Sequence, residues 1–173
     1  RVYAEIERVK RCFRTLETLG IPVVSCINGS ALGGGMEVAL VGHHRIAVDD
    51  PKLQMGLPEL TLGLIPGATG ITKFTRLLGL MGAQPFIMES QLFNPRQGHE
   101  LGLVHELVPD ASALRARTRA RAKPLLALAC EEALAVVDSS SSANAVITLR
   151  MVPSTGCASA CRALLAPWRT AAA

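Results

Sequence analysis

Aromatic residues are scarce, with four Phe, one Tyr and one Trp in 173 residues. A surface that reads nucleobases needs rings to stack on them, so nucleic acid is not the expected partner, despite a formal charge of +4 and a pI near 9.0. The basic excess gathers late in the chain, at Arg115, Arg117, Arg119, Arg121, Lys123, Arg150, Arg162 and Arg169, and an acidic small molecule suits it better. Cysteine pairing is lacking too. Cys12, Cys26, Cys130, Cys157 and Cys161 form no CxxC and lie near no histidine cluster. Neither a metal site nor a disulfide framework is therefore indicated, and a reducing, cytoplasmic compartment is expected. No apolar run approaches the roughly 18 residues of a membrane span, so a soluble chain without a membrane span is expected. A signal-type opening is missing as well, and the first residue is Arg1, which reads as an N-terminally truncated or processed chain.

What the sequence does have is apolar bulk: 49% hydrophobic against 18% charged residues, enough for one globular domain with a real core. Val2, Ile6, Val9, Phe13 and Leu16 form the stripe of an amphipathic helix. Pro22 then opens Val23-Val24-Ser25-Cys26-Ile27, a buried strand leaving through Asn28-Gly29. Short strands are expected at Arg45 to Val48 and Leu53 to Met55, with Asp49-Asp50-Pro51 turning between them. Leu57 to Gly70 holds too many prolines and glycines for one element and is expected to be a shaped loop, with a helical turn around Glu59. Thr69 is placed to cap a helix over Thr72 to Leu80 that ends at Gly79 or Gly82. Helices follow at Ala83 to Ser90 and Pro95 to Leu101, an exposed-edge strand at Leu103 to Val108, and a helix over Ala111 to Ala129 that Pro124 should kink or split. From about Cys130 the chain is alanine, serine and arginine with no sustained period, and no fold is assigned to it.

The chemistry concentrates in Ala31-Leu32-Gly33-Gly34-Gly35-Met36-Glu37. Three glycines between a strand-like and a helix-like run leave backbone N–H groups uncovered by any Cβ, able to meet a ligand oxygen. Glu37 follows on the helix, and Glu59 comes 22 positions later in an apolar, proline-bounded segment. Amide donors with two carboxylates suggest an active site. Each part also has a plainer explanation. The glycines alone could be a close-packed turn, Glu37 alone a first-turn helix acid, and Glu59 a surface loop acid. His43 and His44 have no partner at metal-ligand spacing and suit hydrogen-bonded or solvated roles better than catalysis. Arg115 to Arg121 fall on different helix faces, which suits a solvated surface better than a phosphate clamp, and Cys26 is simplest as a buried small residue.

Pro22-Val23-Val24, Asn28-Gly29, Ala31 to Glu37, Leu57-Pro58-Glu59, Leu62-Gly63, Ile65-Pro66-Gly67, Arg76-Leu77-Leu78-Gly79 and Gly102-Leu103-Val104 stand in an order that resembles the enoyl-CoA hydratase/isomerase, or crotonase, superfamily. The likeness covers roughly residues 1 to 128. His43-His44-Arg45-Ile46-Ala47, with a longer spacer before Leu57-Pro58-Glu59 than simple hydratases carry, is most similar to the hydratase part of multifunctional fatty-acid β-oxidation proteins. No dinucleotide-binding GxGxxG follows.

The resemblance implies an α/β fold, a crotonase-like (ClpP/crotonase) spiral of ββα units, incomplete and with a helical C-terminal part. Residues 1–128 would be a partial crotonase-like domain and residues 129–173 a tail of uncertain fold. It implies hydration of trans-2-enoyl-CoA thioesters to 3-hydroxyacyl-CoA, with Gly34 in the oxyanion hole and Glu37 and Glu59 as acid–base groups. Ala31, Leu32, Gly33, Leu57, Pro66 and Gly67 would contact substrate. No cofactor is expected to be covalently bound, and coenzyme A arrives as the carrier of the acyl substrate. The full-length protein is expected to form a homo-oligomer or a multifunctional complex. In the family a second oxyanion amide and much of the coenzyme A contact come from the part that would precede Arg1. The same carboxylates could shift a double bond instead of adding water, and a truncated, non-catalytic remnant or interaction subunit is the other alternative.

Overall fold

A computed structural model describes residues 2–20, 22–129, 135–139 and 147–151, with side chains described between residues 3 and 121. The first helix, α1 (Val2–Glu17), turns its apolar stripe inward, and Phe13 on that stripe is buried. Strand β1 (Val23–Ile27) is buried at every position, which its unbroken apolar run anticipates for a central parallel strand. There follow β2 (Ala31–Leu32), α2 (Gly34–Ala39), β3 (His44–Val48), β4 (Met55–Gly56) and a 3-10 turn over Pro58–Leu62. The chain continues through α3 (Gly70–Met88), α4 (Pro95–Glu100), β5 (Glu106–Val108), α5 (Ala111–Ala129), β6 (Ala135–Ser139) and β7 (Ile147–Met151).

The main sheet has the order β5-β3-β1-β6-β7, parallel except for the antiparallel β6–β7 pair. Alternation along its strands divides the core in two. Val24, Cys26, Ile46 and Val108 pack with Leu114 of α5 on one face. Ile27 and Ala47 join Met36, Leu40, Leu57, Phe74, Phe86 and Phe93 on the other. The period of two in β1 and β3 thus builds a three-layer arrangement from two short strands. On the second face Phe74, Phe86 and Phe93 meet with ring centroids 5.4 to 6.3 Å apart, so almost all of the scarce aromatic content of the described core is spent at one point.

Leu103 and Val104 are consecutive buried residues ahead of β5, so the expected edge strand shrinks to three residues. The helix expected over Ala111 to Ala129 is present as α5 and continues past Pro124 without being split there. The two helices expected over Thr72 to Ser90 are borne out: α3 breaks at Gly79 (φ 75°, ψ 169°), where the first was expected to end. Beyond residue 129, where no fold was assigned, the described backbone contributes β6 and β7 to the main sheet.

The histidine–arginine run is structural. His43 Nδ1 accepts the Val23 N–H at 3.0 Å while Nε2 lies 3.1 Å from the Glu17 carbonyl, tying the end of α1 to β1. His44 Nε2 lies 2.9 Å from Glu106 Oε1, and Arg117 and Arg121 close on the same carboxylate from α5. Arg45 is buried and donates to the carbonyls of Gly42 and Leu103; desolvation pulls its pKa down to about 10. His105 stacks on His44 at 4.6 Å and accepts the Arg45 N–H. Burial, and then the charge of Arg45, push its pKa down to about 4, so it is neutral at pH 7.

Phe74 is fully buried between the other two rings. Phe74→Ala is expected to cost about 3–5 kcal/mol in urea unfolding, because the cavity it leaves is walled by residues already close-packed.

Candidate active site

The pairing of β2 with β4 is what assembles the site. Ala31 sits opposite Met55 and Leu32 opposite Gly56, and the Gly33 N–H donates to the Gly56 carbonyl at 2.9 Å. Each strand then ends in a turn, and each turn carries one carboxylate. From β2 the chain turns at Gly33, with φ of 55° and ψ of −126°, a conformation closed to residues with a Cβ, and enters α2 with Glu37 in its first turn. From β4 it passes through Leu57 into the 3-10 turn that holds Glu59. A Cβ placed on Gly33 would lie 2.9 Å from Glu59 Oε1, so the glycine backbone is the surface on which that carboxyl rests.

Glu37 is only 3% exposed. Its Oε1 accepts three backbone N–H groups, from Ala68 at 3.0 Å, Thr69 at 2.9 Å and Gly70 at 2.8 Å. These are amides at the start of α3, which have no acceptor within their own helix. Thr69, expected to cap that helix, stands at the N-cap but makes no side-chain capping bond; a carboxylate from α2 does the work instead. Its charge suits the positive end of the helix better than a hydroxyl does. Sequence reasoning missed this role, although Ala68-Thr69-Gly70 ahead of a helix marks where such unpaired amides must be.

Glu59 sits in the opposite environment. Its Oε2 is closed to solvent and has no hydrogen-bond partner among the described residues. Burial, and then the nearby charge of Glu37, raise its pKa above the ordinary carboxyl value, against a lowering bond from its own backbone. The apolar segment around it supplies that setting only in part. Leu62 and Leu64 are 74% and 58% exposed, while Leu57 is fully buried.

The other expected site residues divide by depth. Ala31 and Leu57 belong to the core and Pro66 is buried, so their side chains support the site from beneath. Leu32, Gly34 and Gly67 lie at the surface beside the two turns. Gly34 is the first residue of α2, so its N–H has no acceptor in that helix, and nothing lies within 4 Å of where its Cβ would be. The arrangement offers one open amide donor, one carboxylate anchored by a single oxygen and one carboxyl biased towards its protonated form. Among the described residues no group of His, Cys, Asp and Glu is placed to hold a metal ion.

Residues 4–151 match the family model described as enoyl-CoA hydratase/isomerase. The chain belongs to that family. The match continues beyond residue 128 and takes in both β6 and β7. Among curated relatives, the fatty acid oxidation complex subunit alpha of Shewanella halifaxensis is 44% identical over 103 residues, 60% of this chain and 14% of that protein. Its counterpart in Shewanella frigidimarina is 43% identical over 102 residues, 59% of this chain and 14% of that protein. Among solved structures, the enoyl-CoA hydratase from Bacillus anthracis aligns with a TM-score of 0.66 at 32% identity, over 72% of this chain and 47% of that one. Pseudomonas aeruginosa DspI aligns with a TM-score of 0.67 at 30% identity, again over 72% and 47%. The chain thus spans about half the length of these solved members and a small part of the curated ones. The solved members share its crotonase fold, and this chain forms an incomplete version of it.

Two stability measurements test the two carboxyl environments. Glu37→Ala leaves three N–H donors, one of them buried, without their acceptor and is expected to cost about 2–4 kcal/mol in urea unfolding, whereas Glu37→Gln, which keeps an oxygen for them, is expected to cost about 1 kcal/mol. For Glu59 the sign reverses. A carboxyl with a raised folded pKa binds its proton more tightly in the native state than in the unfolded one, so native stability falls as pH rises past the unfolded value near ~4.3. Glu59→Gln is therefore expected to be more stable than the unsubstituted protein at pH 7, with the advantage vanishing below about pH 4. Equal stability of the two proteins at pH 7 would contradict this.

Proposed function

We propose that the site adds water across the double bond of trans-2-enoyl-CoA thioesters, giving 3-hydroxyacyl-CoA in fatty-acid β-oxidation. The observation that carries the reading is the unequal carboxyl pair: Glu37 bonded to amides through one oxygen only, and Glu59 with its pKa raised. Family membership and the likeness to fatty acid oxidation complex subunits support it.

In this reading Glu37 Oε2 takes a proton from water as the water oxygen bonds to C3. The π electrons of the double bond move towards the thioester, whose oxygen gains enolate charge. The open Gly34 amide donates to that oxygen; one such donor is typically worth about 2.7–4 kcal/mol in a transition state. Glu59, protonated at the start, delivers its proton to Cα, and the enolate collapses to the thioester. One water is consumed, one C–O and one C–H bond form, and the proton left on Glu37 returns to Glu59 through solvent to close the cycle. Coenzyme A acts only as carrier of the acyl group. A double-bond shift by the same groups remains the second reading, since a protonated and an ionised carboxyl can equally exchange protons between Cα and C4. The full-length protein would work within a homo-oligomer or a multifunctional complex, for which no helix among the described residues is long and apolar enough to cross a membrane.

Turnover is measured with a short trans-2-enoyl-CoA, as the absorbance of the conjugated thioester disappears. Glu37→Gln and Glu59→Gln are each expected to lower kcat by at least about 10²-fold. Absence of turnover in the folded, unsubstituted protein overturns the proposal.

A further inference from the structure

We propose that Gly70 is a positioning residue for Glu37, and that the absence of a side chain there sets which carboxylate oxygen takes part in proton transfer. The inference rests on the acid–base reading of Glu37 and adds to it a residue that makes no contact with substrate.

The argument is geometric. The first residue of α3 approaches Glu37 so closely that a Cβ on Gly70 would lie 3.0 Å from Glu37 Oε1, and 3.0 Å from each methyl of the fully buried Leu57. Neither neighbour can withdraw easily. Leu57 is part of the core, and Glu37 is held through Oε1 by three N–H groups at 2.8 to 3.0 Å. The shortest of the three bonds is the one from Gly70 itself. An oxygen that accepts three N–H donors has no lone pair left for a proton, so chemistry at this carboxylate falls to Oε2. A methyl at position 70 presses on Oε1, lengthens all three bonds and shifts Oε2 from the position those bonds fix. Displacements of a few tenths of an ångström at a proton-transferring oxygen are enough to slow a reaction about tenfold while leaving substrate affinity alone.

Gly82, beyond the break of α3 at Gly79 and away from the site, serves as the comparison: its Cβ would meet only the Leu78 Cβ, at 3.3 Å. Gly70→Ala is expected to lower kcat for enoyl-CoA hydration about tenfold with KM changed less than twofold, and Gly82→Ala to leave both unchanged. A readout independent of turnover comes from the amide proton resonances of residues 68 and 69. Glu37→Gln should move them upfield as charge-assisted bonds become neutral ones, and Gly70→Ala should move them in the same direction and speed their hydrogen exchange. Should Gly70→Ala alone fold poorly through its contact with Leu57, the double variant Leu57→Ala/Gly70→Ala is compared with Leu57→Ala. Relieving the core contact restores folding but not kcat if Glu37 is what the methyl displaces. Unchanged kcat and unchanged amide shifts in Gly70→Ala overturn the assignment. Absence of turnover in the unsubstituted protein overturns the hydratase reading instead, and the amide shifts then decide the role of Gly70 by themselves.

Discussion

Three N–H groups at the start of α3 need an acceptor, and a carboxylate that is 3% exposed needs donors. Each need is costly alone, because a buried unpaired donor or an isolated buried charge loses its hydration without return. Met together, they fix α2 against α3 and bring the loop over residues 63–67 back across the site. The rest of the arrangement depends on that contact. Without it α3 would have an uncapped end over the core, and Phe74, four residues into the helix, would lose the register that sets it between Phe86 and Phe93.

The second constraint is the small β2–β4 ladder. Only two residues pair on each side, yet the pairing sets Gly33 beside Gly56 and so places the two turns within reach of each other. A ladder this short contributes little stability by itself. It is held because Ala31, Met55 and Leu57 are buried in the same apolar cluster, and because Met55 also bridges to Phe93. Packing energy from the aromatic face of the sheet thus maintains backbone geometry at the site, which is how a fold tolerates an unpaired carboxyl oxygen beside a turn only glycine can make.

Local pattern carried much of this in the sequence. The stripe of α1, the buried run of β1 and the helix after the glycines are each set by neighbours within a few residues, so periodicity and turn chemistry sufficed to find them. The pairing of Ala31 with Met55 was not legible, since two residues cannot show a period. Nor was the capping of α3. Thr69 is a good cap by composition, and only the fold brings a carboxylate from more than thirty positions away to displace it. Leu62 and Leu64 misled for a related reason. Their identity suggested an apolar wall around Glu59, but both are exposed, and burial of the carboxyl comes instead from the Gly33 backbone and its neighbours. In the run from His43 to Arg45 the residues themselves gave no partner, and each found one in a distant element: Glu17, Glu106 and the Leu103 carbonyl.

The two carboxyls show how one fold separates like groups. Both lie just past short turns, Glu37 buried and Glu59 half-buried, and Glu59 lies in the field of Glu37. Identical surroundings would leave them sharing a proton with no preferred donor. Backbone amides and burial make the difference: three amides converge on Glu37, while Glu59 Oε2 is closed to solvent and finds none. In the proposed hydration, that difference is what gives proton transfer a direction. It depends less on the chemistry of the two glutamates than on where a helix happens to begin. That dependence places the start of α3, rather than the glycine triplet alone, at the centre of the site, since shifting it by one residue would exchange the acceptor of three bonds for a buried charge with none.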